Sequence, residues 1–183
     1  MSIPRLRLTD TVLLLVDFQP RVLAPMAEGR SAVLAARTLA EACCVLGVDV
    51  IATEQVPEKF GNTVPDLSDY AGETFAKSRF SAWTPEVARA VGRRSLLVAG
   101  VEAHVCVLQT VLDARAEDRD VFLATDAITA GDMTQIAPAL RRMVAAGAVE
   151  TGVVSALYEL MADANRAHFR DVLKLVKRLL AAG

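Results

Sequence analysis

The chain of 183 residues has little cysteine, histidine or aromatic content: three cysteines, two histidines and 5% aromatic residues. Two of the cysteines are the neighbours Cys43 and Cys44, and no CxxC spacing is present, so a disulfide framework and a zinc site are both improbable. Small and apolar residues surround this pair at helical spacing. We therefore expect Cys43 and Cys44 to serve packing.

The sequence also lacks a strong net charge and a long apolar run. A formal net charge of -2 and a pI near 5.7 predict no basic surface for nucleic acid or for an anionic membrane. No apolar run approaches the roughly 18 to 20 residues of a transmembrane helix, and the start MSIPRLRLTD lacks the features of a secretory signal. We expect a cytoplasmic protein that binds neither nucleic acid nor membrane.

Aliphatic residues are abundant instead. The hydrophobic share is 53% and the mean hydropathy is +0.34, which predicts an aliphatic core with apolar surface left over. Such a surface favours a homo-oligomer. The length, with no polar linker or low-complexity tract, is typical of one domain, here residues 1–183.

Apolar strand-like runs alternate with helical patterns along the whole chain. This alternation predicts a three-layer α/β/α fold with a mostly parallel, Rossmann-like sheet of about six strands. A region dense in Pro, Gly, Asn and Asp is expected to form a long surface loop at 54–70. The predicted strands are 11–17, 48–53, a short one from 72, 95–99, 120–126 and 149–154, and the predicted helices are 31–46, one opened by Thr84 and Pro85, 102 or 103–117, 134–146 and a C-terminal stripe from Phe169 to Leu180.

Cys106 follows the apolar run SLLVAG and a turn, at the first turn of a predicted helix. The carboxyl ends of parallel strands form ligand crevices, and a helix N-terminus favours the thiolate, so Cys106 is a candidate nucleophile whose pKa should lie well below 8.5. The alternative is a small apolar filler between Val105 and Val107. His104 is a possible base, but two residues away on a helix it points to a different side.

Asp17 and Lys77 stand at comparable strand ends. Asp17 ends the apolar run TVLLLVD, where a carboxylate could act as a general base, although it could equally be a solvated acid. Lys77 ends the short strand ETFAK, and Phe75, Phe80 and Trp83 bracket it. A lysine there is usually a surface charge, but these aromatics favour a walled pocket in which the ammonium lowers a thiol pKa.

Five residues flank the predicted strand ends and are candidate pocket walls, each with packing in the core or in a loop as its alternative. They are Phe18, Gln19, Phe80, Trp83 and Asp126.

Three segments, VDFQ with Asp17, AKSRFSAW with Lys77 and GVEAHVCV with Cys106, resemble in order and spacing the signature segments of the isochorismatase-like cysteine hydrolase family. The similarity runs from about residue 12 to residue 180. It implies a catalytic triad of these three residues and a cis peptide bond before Glu102. It also implies an oxyanion hole formed by the backbone amides of Glu102 and Cys106.

The loop TEQVPEKFGNTVPDL departs from the nicotinamidase branch, which carries a metal-binding Asp-x-His pair and further histidines there. This chain has only His104 and His168, both far from that loop, so we expect no metal ion, no cofactor and no nicotinamidase activity. The loop resembles that of the isochorismatase domain-containing subgroup.

These observations predict a hydrolase that cleaves a small amide or related C–N bond through a thioester on Cys106. One alternative is a vinyl ether hydrolase of the true isochorismatase type, which does not need a cysteine nucleophile. Another is a non-catalytic oligomeric binding or scaffold protein with a vestigial pocket. The presence of Cys106 weighs against the first, and the three filled triad positions weigh against the second.

Overall fold

The computed structural model describes residues 3–182 and is built around a six-stranded sheet with the strand order β3-β2-β1-β4-β5-β6. All neighbouring strands run parallel. The predicted Rossmann-like sheet is confirmed. The strands are β1 (Thr11–Val16), β2 (Asp49–Gln55), β3 (Glu73–Lys77), β4 (Ser95–Gly100), β5 (Val121–Ile128) and β6 (Val149–Thr151).

Helices connect the strands and cover the sheet. They are α1 (Pro20–Leu23), α2 (Gly29–Leu46), α3 (Pro57–Phe60), α4 (Pro65–Ser68), α5 (Pro85–Val91), α6 (Leu108–Ala116), α7 (Ile136–Ala145), α8 (Val153–Met161) and α9 (Phe169–Ala182). Short 3-10 helices lie at Leu8–Asp10 and Met133–Gln135, and a turn of π-helix at Ala103–Val107 leads into α6. Within residues 3–182, no helix has both the length and the apolar character needed to cross a bilayer.

Strand β1 is buried on both faces, which explains why its sequence is a continuous apolar run. Leu13 and Leu15 point into an apolar layer shared with α2, α8 and α9. Val12, Leu14 and Val16 point into the opposite layer, shared with α5, α6 and α7. Alternation of side chains along a strand places these two sets on opposite faces, so the three-layer arrangement follows.

The region expected to be a long loop is more ordered than predicted. Strand β2 extends to Gln55, and α3 and α4 each begin at a proline, whose fixed φ suits the first helical position. The buried Glu54 carboxylate holds the connection by accepting hydrogen bonds from the Thr63 amide at 2.7 Å and the Thr63 hydroxyl at 3.0 Å. The connection therefore runs over the surface as predicted, but two short helices and a buried acid at its start give it order.

The predicted strand at 149–154 was wrong in its second half. Strand β6 ends at Thr151, and Val153 begins α8, which the sequence analysis did not predict. The Asp126 carboxylate accepts hydrogen bonds from the Val153 amide at 2.9 and 3.1 Å, so it caps the helix. A short apolar segment fits a buried strand and a buried helix equally well, and this tertiary cap decides between them.

Strand β1 lies between β2 and β4: β2 and β3 extend the sheet on one side of it, and β4, β5 and β6 extend it on the other. Crevices in open α/β sheets form at such a reversal, at the carboxyl ends of the strands. Asp17 follows β1, and the segment containing Cys106 follows β4. The two segments therefore meet at one edge of the sheet.

Candidate active site

A cleft of about 240 Å³ opens at this edge. Asp17 and Cys106 both line it, although 89 residues of sequence separate them, because their strands β1 and β4 are paired. The full lining is Asp17, Arg21, Val22, Pro25, Gln55, Phe60, Phe80, Glu102, Val105 and Cys106.

Asp17 is held rigidly at the floor of the cleft. Its backbone has a φ of 55°, in the left-handed region that a non-glycine residue rarely adopts, and its side chain is buried. The carboxylate oxygen Oδ1 accepts a hydrogen bond from the Thr53 hydroxyl at 2.9 Å, and Oδ2 accepts one from Lys77 Nζ at 2.7 Å. Strained backbone of this kind persists where surrounding contacts hold it, often at functional sites.

The Lys77 ammonium lies behind Asp17 and is also buried. Besides Asp17, Nζ has three acceptors within 3.2 Å: Gln55 Oε1 at 2.7 Å, the Phe80 carbonyl at 3.1 Å and the Arg79 carbonyl at 3.2 Å. An ammonium has only three protons, so its donors are already committed. Lys77 thus fixes Asp17 and the segment that follows β3.

Gln55 is the residue in this network that sequence reasoning missed. Its Nε2 donates to the Ser78 carbonyl at 2.8 Å while its Oε1 accepts from Lys77. The Gln19 side chain binds the Gln55 backbone twice: its Oε1 accepts from the Gln55 amide at 2.7 Å, and its Nε2 donates to the Gln55 carbonyl at 3.1 Å. The position of Gln55 at the end of β2 could have flagged it, since the other site residues also follow strand ends.

Cys106 lies in the π-helical turn after β4, and 7% of its surface is exposed. Its carbonyl accepts a hydrogen bond from the Thr110 hydroxyl at 2.6 Å, and the same hydroxyl accepts one from the Ala82 amide at 2.7 Å. Thr110 is fully buried. It therefore ties the cysteine turn to the segment that begins at Lys77.

The expectation of a lowered thiol pKa was wrong for the resting site. Burial, and secondly the negative charge of Asp17, raise the pKa of Cys106 to about 12, and the opposing effect of Lys77 is too small to reverse this. The physical reason is that Lys77 is paired with Asp17, so the thiol is exposed to the negative charge as well as to the positive one. Removal of water disfavours the thiolate, and the ion pair has little net charge with which to offset that.

The backbone next to the cysteine turn is tightly constrained. The Val101–Glu102 peptide bond is cis, at the position that the family resemblance implies. The Val101 amide donates to the Val16 carbonyl at 3.0 Å, and a Cβ added to Gly100 would lie 2.5 Å from the Val16 Cβ. Only glycine permits β1 and β4 to approach this closely just before Asp17 and Glu102.

Four of the five predicted pocket walls lie elsewhere. Phe18 is buried in the apolar layer under α2, Trp83 packs in the opposite layer, and Gln19 is buried against Gln55. Asp126 caps α8. Of the five, only Phe80 lines the cleft.

Half of the walls that were missed belong to the helices α1 and α3, which are too short to show a periodic pattern. They are Arg21, Val22, Pro25, Phe60 and Val105, besides Gln55. His104 is outside the lining, and its Nδ1 lies 3.9 Å from Glu102 Oε2. Within residues 3–182, no group of three or more His, Cys, Asp and Glu side chains is placed to hold a metal ion.

The family model described as "Isochorismatase domain" matches residues 11–153, most of the chain. The chain belongs to the isochorismatase family. The secreted isochorismatase effector Isc1 of Phytophthora sojae is 35% identical over 153 residues, 78% of this chain and 73% of that protein. Isochorismatase domain-containing protein 1 of Salmo salar is 32% identical over 173 residues, 91% of this chain but only 61% of that longer protein.

Several solved structures share the fold of this chain closely. The MAR1 ribonuclease structure from Caenorhabditis elegans superposes with a TM-score of 0.92 at 28% identity, covering 95% of this chain and 93% of that one. A YcaC structure from Pseudomonas aeruginosa, containing hexane-2,5-diol and covalent acrylamide, has a TM-score of 0.86 at 26% identity and covers 100% and 99% of the two chains. The Escherichia coli YcaC gene product, an octameric hydrolase of unknown specificity, has a TM-score of 0.84 at 26% identity and covers 100% of both chains.

Proposed function

We propose that the protein is a cysteine hydrolase that cleaves a small amide or related C–N bond through a thioester on Cys106. One observation carries the proposal: the thiol and the Asp17 carboxylate line the same cleft, and Lys77 holds that carboxylate in place. A nucleophile beside an oriented base is the arrangement that covalent acyl transfer requires.

Asp17 is the general base in this scheme. The raised pKa of Cys106 means that the resting thiol is protonated, so it has to lose its proton as it attacks. The Thr53 hydroxyl and Lys77 orient the carboxylate. Lys77 is a positioning residue that also supplies positive charge next to the developing anion.

The backbone amides of Glu102 and Cys106 are proposed to stabilise the oxyanion of the tetrahedral intermediate. Both residues line the cleft, and Glu102 follows directly on the close approach of β1 and β4 at Gly100. One such donor contributes about 3 to 4 kcal/mol of transition-state stabilisation in well-studied hydrolases.

The reaction then proceeds in two balanced halves. Sulfur bonds to the carbonyl carbon while Asp17 takes the thiol proton; the C–N bond breaks as Asp17 returns that proton to the leaving amine. In the second half water adds to the thioester and gives its proton to Asp17. The C–S bond breaks, the sulfur recovers the proton, and the carboxylic acid leaves.

The covalent acrylamide in the Pseudomonas YcaC structure, which shares this fold, supports the proposal of a reactive nucleophile. The test is ammonia release from a panel of small primary amides by the wild-type protein and by Cys106→Ala, together with intact-protein mass spectrometry. We expect a substrate-dependent acyl adduct on Cys106 and none on Cys43 or Cys44. Full activity of Cys106→Ala on a cleaved amide would refute the covalent scheme.

RNA is the alternative substrate that the name of the C. elegans structure raises. The cleft contributes only one exposed cation, Arg21, and the chain has a net charge of -2, which is a poor electrostatic match for a polyanion. We therefore retain the prediction that no nucleic acid is bound. Degradation of RNA that disappears in Cys106→Ala would contradict it.

We also propose that the protein is a homo-oligomer, as the E. coli relative is. Large apolar side chains remain exposed on the described part of the chain, and association would cover some of them. Light scattering coupled to gel filtration tests this, and a monomer at micromolar concentration would refute it. These side chains are Ile3, Phe80, Met133, Val144, Tyr158 and Leu180.

A further inference from the structure

The walls of the cleft carry information about the substrate that the proposed chemistry does not use. Half of the ten lining residues are apolar, and they come from separate parts of the chain. Two belong to α1 and the turn after it, one to α3, one to the segment after β3 and one to the cysteine turn. They are Val22, Pro25, Phe60, Phe80 and Val105.

The polar lining groups already have partners inside the protein. Asp17 accepts from Thr53 and Lys77, and Gln55 bonds to Lys77 and Ser78. These groups hold each other and present no unpaired charge to a ligand.

Each of the two charged side chains at the edge of the cleft has one hydrogen-bond partner inside the protein. Glu102 Oε2 accepts from the Gly131 amide at 3.0 Å. Arg21 Nη1 donates to the Lys59 carbonyl at 2.6 Å, and Arg21 is exposed. An ion pair with an exposed guanidinium contributes little, because water screens it. A charged acyl group would leave water without gaining a buried partner.

Resting on the proposed function, we infer that the substrate is a small amide whose acyl group is uncharged and apolar. A charged group that enters an apolar site without a partner pays a desolvation penalty, whereas an alkyl or aryl group gains from burial. The cleft volume of about 240 Å³ lies below the range of roughly 300 to 1,000 Å³ typical of drug-sized ligands. The acyl group is therefore compact, on the scale of a branched alkyl chain or one aromatic ring.

Two amides of the same shape test the inference. In 4-methylpentanamide a branched end replaces the carboxylate of succinamate, with the same number of heavy atoms. We expect kcat/KM of the wild-type protein to be at least about tenfold higher for 4-methylpentanamide, because the carboxylate of succinamate loses water on entering the cleft and gains no buried partner there. Equal values, or a preference for succinamate that Arg21→Gln removes, would overturn the inference.

A binding measurement separates this inference from the proposed function. Cys106→Ala, titrated with each amide by calorimetry, should bind 4-methylpentanamide at least about tenfold more tightly than succinamate. If it does so while the wild-type protein cleaves neither, the proposed function fails and the inference about the cleft stands. If the wild-type protein cleaves amides but Cys106→Ala binds succinamate as well as the apolar amide, or does not bind the apolar amide measurably, the inference fails.

A designed charge in the apolar wall provides a matched control. Val22→Lys places an ammonium in the cleft. It should lower the ratio of kcat/KM for 4-methylpentanamide to kcat/KM for succinamate at least about tenfold. Ala145→Lys adds the same charge on α7, at an exposed alanine outside the cleft, and should leave the ratio unchanged. An identical ratio in both variants would contradict the inference that Val22 lies next to the acyl group of the substrate.

Discussion

The ionisation of Cys106 is the quantity on which the proposed mechanism can be tested most directly. With a pKa of about 12 against an ordinary 9.0, the thiol at pH 7 is ionised to on the order of one part in 10⁵ instead of one part in 10². A thiolate of higher pKa is also the stronger nucleophile, with a Brønsted slope of about 0.4 to 0.5. Combining the two effects, alkylation of Cys106 at pH 7 should be roughly 50-fold slower than that of an unperturbed, equally accessible thiol.

The Asp17→Asn substitution tests whether the Asp17 carboxylate raises or lowers the pKa of Cys106. It removes the negative charge that raises the thiol pKa, while the lowering effect of Lys77 remains, so the pKa of Cys106 should fall. Turnover should nevertheless be lost, because the general base is gone. This variant is therefore expected to be more ionised and less active than the wild-type protein.

Thiolate absorbance at 240 nm, taken as the difference between each protein and its Cys106→Ala counterpart, measures this ionisation. The wild-type difference should show no inflection up to about pH 10.5, whereas the Asp17→Asn difference should rise at a lower pH. Peptide mass spectrometry after alkylation separates Cys106 from the exposed Cys44. A wild-type inflection below pH 9, or no downward shift in Asp17→Asn, would refute the reasoning.

The same raised pKa predicts how stability depends on pH. The folded state holds the thiol proton more tightly than the unfolded chain, so this contribution is fully present below about pH 9 and is lost as pH rises toward 12. The free energy of unfolding should fall by up to about 1.4 kcal/mol per pH unit above pH 9. In Cys106→Ala this slope should be shallower, and identical slopes by urea denaturation would contradict the assignment.

Three further substitutions test the frame of the site. Gly100→Ala forces a Cβ against β1 and should lower the free energy of unfolding by about 1 to 3 kcal/mol and reduce activity. Gly72→Ala, whose added Cβ would have no atom nearer than 3.6 Å, should change neither. Equal melting temperatures of the two variants would contradict the close approach of β1 and β4. Asp126→Ala should lower the free energy of unfolding by about 1 kcal/mol, because it removes the cap of α8, and it should leave kcat/KM unchanged. A drop in kcat/KM would indicate that Asp126 contacts the substrate. Lys77→Met should lower the free energy of unfolding by about 3 to 5 kcal/mol, because it leaves the Asp17 carboxylate buried and unpaired. The double variant with Asp17→Asn should recover part of this loss. If the losses of the two single variants simply add in the double variant, as measured by urea denaturation, the pairing is contradicted.

Much of the fold could be predicted from local patterns. The continuous apolar runs of β1 and β4 indicate strands buried on both faces, and their alternation with helical segments indicates a parallel sheet. Because the carboxyl ends of parallel strands share one edge, residues at the ends of such runs are expected to meet. Asp17, Lys77 and Cys106 were placed together on that argument, and the structure brings them to one edge of the sheet.

The sequence alone therefore determined the layers, the sheet edge and the three side chains at it, since each depends on periodicity and on position relative to a strand. The tertiary structure decided which residues form the cleft and how Cys106 is ionised. Arg21 and Phe60 reach the site from helices of four residues, and Gln55 reaches Lys77 across paired strands, neither of which has a local signature. The thiol pKa depends on how much water is excluded and on the balance between Asp17 and Lys77, and both are set by distances in three dimensions.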